Sequence, residues 1–154
     1  MYATPEYLAA SGDAASASVT QELARIDVRP IAERRGMVLR QQLNEKLRPG
    51  GGAPNRYDLQ VRLAARTQEL GVRKDSTTSR ANLILTATFV LWEGDSRLLR
   101  DRVRDTVSYN ILDDQYATIA SERDAEARAL RQISEEIRTR VAVYFDRTQQ
   151  QAQR

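Results

Sequence analysis

The 154-residue chain contains neither cysteine nor histidine. Their absence excludes a thiol nucleophile, a Ser-His-Asp arrangement, a zinc site built on imidazole or thiolate, and any disulfide framework. Aromatic residues make up only 6% of the chain, and Trp92 is the one tryptophan. Long apolar runs are missing too. Nothing approaches the roughly 18 to 20 consecutive apolar residues of a membrane-spanning helix, and no basic start followed by an apolar stretch marks a signal peptide. Without a GxSxG elbow or a GxxxxGK[ST] loop, Gly50-Gly51-Gly52 reads as a plain connection. Any catalysis would rest on carboxylates, hydroxyls or Arg. The adjacent pairs Asp113-Asp114 and Glu135-Glu136 read instead as negative charge before a helix N-terminus and as helix surface. No enzyme, metal site or cofactor is expected.

What is present fits one globular domain with one core: 41% hydrophobic and 29% charged residues. The net charge of +3 is small, yet all but Lys46 and Lys74 of the 24 basic residues are arginine. The codon usage of a GC-rich genome is one source of such an excess. Recognition of phosphate or carboxylate groups by the planar guanidinium is the other.

Periodicity sets the elements. Residues 1–18, rich in Ala, Ser and Gly, read as a flexible tail, and 19–147 as a single domain. Ala24, Ile26 and Val28 alternate with charged residues, predicting a first strand stopped by Pro30. Leu39, Leu43 and Leu47 then stripe a helix over 33–47, closed by Pro49 and the glycines. A half-buried strand follows at Tyr57 to Ala65, then a polar connection over 72–79. The strand from Ala81 to Trp92 has no charge on either face, which places it centrally. Glu93-Gly94-Asp95-Ser96 is a hairpin turn into a strand over 97–110, whose apolar face Asp101 and Asp105 interrupt. A long helix ends near Phe145, and 148–154 is expected to be disordered. The order β-α-β-β-β-α predicts an α+β two-layer sandwich: a four-stranded, mostly antiparallel sheet with two helices on one face.

Two groups of cations stand out. Arg100, Arg102 and Arg104 share one strand face at a period of two: either a solvated face partly neutralised by carboxylates of a neighbouring strand such as Asp58, or a polyanion- or partner-binding surface. Arg73, Lys74 and Arg80 bracket the polar connection. Trp92 and Val90, opposite Phe89, put apolar surface on the outer side of the sheet, which suggests a covering partner. A small basic RNA-binding domain is one alternative, although the sheet lacks the basic-aromatic interleaving that stacks bases.

The segments IDVRPIAERRGMVLRQQLNEKL, YDLQVRL, TSRANLILTATFVL and VSYNILDDQYATIASERDAEARALRQISEEIRTRVAVYF resemble the LptE-type LPS-assembly lipoproteins of Gram-negative bacteria in their alphaproteobacterial form. Arg35 to Leu43, Thr78 to Arg80, and Ser108-Tyr109-Asn110 with Tyr116-Ala117 and Asp124-Ala125 carry the likeness. The resemblance implies a non-enzymatic plug inside the outer-membrane barrel LptD, contacting lipopolysaccharide from the periplasmic side. Under it, Arg73, Lys74, Arg80 and Arg123 are the expected lipopolysaccharide contacts, and Arg100, Arg102, Arg104 and Trp92 the expected barrel contacts. Nucleic acid is not an expected partner, and another periplasmic accessory lipoprotein is the alternative that shares the class but not the partner. The family is anchored through an acylated N-terminal cysteine, a residue absent from this sequence.

Overall fold

The computed structural model describes residues 15–51, 53–70 and 79–154. Its frame is a four-stranded sheet in the order β1-β2-β3-β4, from β1 (Ile26–Val28), β2 (Tyr57–Leu70), β3 (Ser79–Glu93) and β4 (Ser96–Ile111). β1 lies parallel to β2 through a crossover carrying helix α2 (Glu33–Leu47), and β2, β3 and β4 form an antiparallel meander. Helix α3 (Gln115–Ala152) closes the chain, and a short helix α1 over 15–23 precedes the sheet. The α+β architecture expected from periodicity is present, with one more helix than expected.

β3 is one of the two inner strands and is buried along its whole helix-facing side. Leu83, Leu85, Ala87, Phe89 and Leu91 are all 0% exposed. At the β3–β4 hairpin, Gly94 takes φ +58°, a left-handed conformation that glycine adopts without the usual steric cost. α2 buries Gly36, Leu39, Leu43 and Leu47, the stripe its leucines predicted. Gly36 is required there, since a Cβ would sit 2.7 Å from the Ile31 carbonyl. α3 answers with Ala125, Ala129, Ile133, Ile137 and Val141. Its small residues let α2 approach closely, and α3 then lies along β4 and β3.

One buried ion cluster fixes how the helices meet. The Glu126 carboxylate on α3, only 5% exposed, accepts from Arg34 Nη2 at 2.5 Å and Arg35 Nε at 2.6 Å, both on α2. Arg40 Nε donates to the Val28 carbonyl at 2.9 Å, tying α2 to β1. At the other end, the Tyr57 hydroxyl donates to the Glu22 carboxylate of α1, and its ring packs on Phe145 of α3 at 5.0 Å. Burial, and then the Glu22 carboxylate, pushes the Tyr57 hydroxyl well above the ordinary tyrosine value.

Several expectations need correction. Residues 15–18, read as tail, are helical in α1, while 1–14 lie outside the described residues. The first strand is shorter than its alternation suggested, because Ala24 and Arg25 form a turn instead. The expected disorder at 148–154 gives way to helix as far as Ala152, where Gln149 Nε2 donates to Ser18 Oγ of α1 at 2.9 Å. β4 continues through Asp101 because Arg140 of α3 donates to its carboxylate at 2.8 Å and to Glu136 at 2.6 Å. Asp114 caps α3 by accepting the Tyr116 N–H at 2.9 Å, and Glu135 pairs with Lys46 at 2.6 Å.

Replacing Arg34 and Arg35 together with Ala strands a buried carboxylate and is expected to cost about 3 to 5 kcal/mol in urea denaturation. Glu126→Gln keeps the shape without the charge and should cost only about 1 to 2 kcal/mol. Equal losses would contradict the cluster's role. Acid provides a second test. Burial opposes the ionised form of Asp101, but Arg140 and the Arg102 N–H outweigh it and hold the carboxyl below its usual value. Lys46 does the same for Glu135. Both groups are depressed in the fold, so their stabilisation is present above the unfolded pKa values and is lost as pH falls through the folded ones. Urea midpoints are expected to drop below about pH 4, less steeply in Asp101→Asn than in the parent chain.

Candidate functional site

Among the described residues every helix lies on one side of the sheet, and the other side stays open. Its rows follow from the register: Gln60, Val90 and Arg100 lie abreast, then Arg62, Thr88 and Arg102, then Ala64, Thr86 and Arg104. Further rows add Arg66 beside Ile84, and Arg80 beside Asn110. Arg97 stands next to Trp92 at the near end, where the β3–β4 register shifts. The alternation that buries Phe89 and Leu91 inward thus gathers cations from three strands outward.

The cations on this face have no carboxylate partners among the described residues. Asp58, expected to neutralise the β4 arginines, is on β2, and β3 separates the two strands. It pairs with Arg29 instead, at 3.6 Å. Neighbouring guanidinium groups on β4 start from positions about 7 Å apart, and a pair at that distance in water repels by about 0.6 kcal/mol. Such repulsion is tolerable in a solvated face, and an arriving anion would relieve it at several places at once.

The floor beneath the charges is partly apolar. Trp92 is half-buried and donates its indole N–H to Gln60 Oε1 at 3.2 Å. With Val90 and Thr88 it lines an open cleft of about 450 Å³ rimmed by Arg62, Arg97, Arg100 and Arg102. Charged rim and apolar floor together suit an acidic partner with apolar groups of its own. Trp92 is the single aromatic side chain of this face among the described residues, which leaves little for stacking successive bases.

The structure brings Arg100, Arg102, Arg104 and Trp92 onto this one face. Arg80 joins them at its far end, exposed. Arg123 does not, since it is exposed on α3 in the other layer. Arg73 and Lys74 lie outside the described residues. Sequence reasoning did not group Arg62, Arg66 and Arg97 with the β4 arginines. The outward parity of Arg62 was readable, but only the register shows that it shares a row with Arg102. No group of carboxylates able to hold a metal ion occurs among the described residues.

A protein-family model described as LptE: Lipopolysaccharide-assembly matches residues 14–141. Among solved structures, a protein of Caulobacter crescentus described as a lipoprotein superposes with a TM-score of 0.66 at 25% identity, over 82% of this chain and 94% of its own. A minor lipoprotein of Acinetobacter baumannii superposes with a TM-score of 0.58 at 15% identity, over 77% of this chain and 91% of its own. The second likeness speaks to fold alone. No curated protein sequence matches the chain.

Arg102 sits between cations along β4 and across β3, so Arg102→Glu should relieve repulsion. Thermal or urea unfolding at low ionic strength is expected to show a gain of about 0.5 kcal/mol that fades at high salt. A loss at low salt would mean that the arginines are already neutralised.

Proposed function

The chain belongs to the LptE family of lipopolysaccharide-assembly proteins, and on that premise we propose that it acts as the plug and partner of an LptD-type outer-membrane barrel and contacts lipopolysaccharide there. The observation that carries the reading is the open arginine face on a domain whose family assembles lipopolysaccharide. Barrel lumens are polar, so a solvated cationic face is suited to lie against one. Arg100, Arg102 and Arg104, with Trp92 at their edge, are the assigned barrel contacts.

Lipopolysaccharide offers phosphates and carboxylates, to which guanidinium groups make paired, charge-assisted hydrogen bonds. Arg80, at the far end of the open face, is the described candidate for that contact. Arg73 and Lys74 enter on their nearness to Arg80 in sequence, and Arg123 offers a separate cation on α3. The role is one of seating and guiding, with no catalytic step. No helix among the described residues is long and apolar enough to cross a membrane. Attachment to the outer membrane on its periplasmic side would then come from a lipid anchor and from the barrel.

Two sets of substitutions separate the contacts. Reversing Arg100, Arg102 and Arg104 to Glu is expected to lower co-purification with the barrel about tenfold or more. Replacing Arg73, Lys74 and Arg80 with Ala should weaken lipopolysaccharide binding and leave barrel co-purification intact. Unchanged barrel recovery in the first variant, or unchanged lipopolysaccharide binding in the second, removes the corresponding assignment.

A further inference from the structure

A strand that ends a sheet presents a row of unpaired amide and carbonyl groups, a template for one more strand. Proteins usually blunt such edges with bulges, prolines or their own side chains. The two edges of this sheet are treated differently. On β4 the edge is occupied at its middle: the Arg102 N–H donates to Asp101 Oδ1 at 2.8 Å, and the Arg102 carbonyl accepts from Arg140 Nη1 at 3.0 Å.

Among the described residues the β2 edge has no such cover. β1 pairs only with Tyr57, Asp58 and Leu59, and the Arg29 N–H adds one bond to the Leu59 carbonyl at 2.9 Å. Pro30 then carries the chain away. From Gln60 to Leu70, β2 is paired on the β3 side alone, in unbroken register and without a proline. Backbone direction alternates along a strand, so residues of the same parity as Tyr57 and Leu59 point their N–H and C=O groups out of the sheet edge. These are Val61, Leu63, Ala65, Thr67 and Glu69, and no backbone partner meets them among the described residues. Ala64 through Leu70 are exposed on both faces of the strand. The free stretch runs roughly 35 Å at about 3.3 Å per residue, ample for a whole added strand.

Charge selects the occupant. Arg62 and Arg66 border the edge on the open face, where an added strand would set its own side chains about 5 Å away. Carboxylates there would pair with them. Toward the helix side the neighbours are Val61, Leu63 and Ala65, which suit apolar or small groups. A second copy of this chain would instead bring another Arg62 and Arg66 onto the same face, and like charges in adjacent strands are destabilising. We propose that the β2 edge from Gln60 to Leu70 accepts an extended segment of a partner protein as a fifth strand, with acidic side chains at alternate positions over the arginines and apolar ones on the helix side. The backbone edge itself lies two strands away from the Arg100, Arg102 and Arg104 contacts assigned above, while Arg62 borders both surfaces.

The test uses the full chain with two labelled ten-residue peptides, one alternating Glu with Val and the other Lys with Val. The Glu peptide is expected to bind by fluorescence anisotropy and to slow amide exchange at Val61, Leu63, Ala65 and Thr67, while the Lys peptide does neither. Ala65→Pro removes an outward N–H and should weaken binding about tenfold or more. Arg62→Glu with Arg66→Glu, both on exposed positions, should reverse the preference to the Lys peptide and guards against misfolding of the proline variant. Absence of binding, protection elsewhere in the chain, or a preference unmoved by the charge reversal would overturn the proposal. So would self-association of the unliganded chain that Ala65→Pro abolishes, which would give the edge to a second copy.

Discussion

The clasp of Glu126 by Arg34 and Arg35 decides the shape of this molecule. A carboxylate left 5% exposed without partners would cost several kcal/mol, so α2 and α3 must meet where both guanidinium groups reach it. Gly36, one helical residue further on, removes the side chain that would keep α2 off Ile31. Once those helices are joined, they cover the same side of the sheet as a unit. The other side is left uncovered among the described residues.

That asymmetry converts an unremarkable net charge into a directed one. The chain carries only +3 overall, but the carboxylates are spent elsewhere: Glu126 inside the helix layer, Asp101 and Glu136 on Arg140, Glu135 on Lys46, and Asp58 on Arg29. The open face keeps its arginines unmatched among the described residues. The same division explains the sheet edges. Arg140 anchors α3 to β4 and in doing so occupies the β4 edge, whereas β2 outruns β1 and keeps a bare one.

Much of this was legible in the sequence, and the failures have physical causes. The leucine stripe of α2 and the alternation of β2 and β3 were readable because burial on one side imposes a period. α1 was hidden by its Ala and Ser composition, although Leu23 is 2% exposed and belongs to the core. The last turns of α3 carry no apolar stripe, but Gln and Ala favour helix and extend one already nucleated. β2 runs to Leu70 because β3 supplies backbone partners whatever the side chains are. In the candidate site, parity placed Arg100, Arg102 and Arg104 together. The addition of Arg62, Arg66 and Arg97 depends on strand order and register, which no local pattern encodes. Membership of the LptE family was visible in motifs around Arg35 and Asp124, residues that adjoin the clasp itself.

The orientation proposed for the domain turns its helix-free face toward the barrel. Placing a photo-crosslinking amino acid at Thr88, in the row between Arg62 and Arg102, and separately at Gln132, exposed on α3, measures this in cells most directly. That orientation predicts crosslinks to the LptD-type barrel from Thr88 and few from Gln132. Efficient crosslinking from Gln132 with none from Thr88 would contradict it.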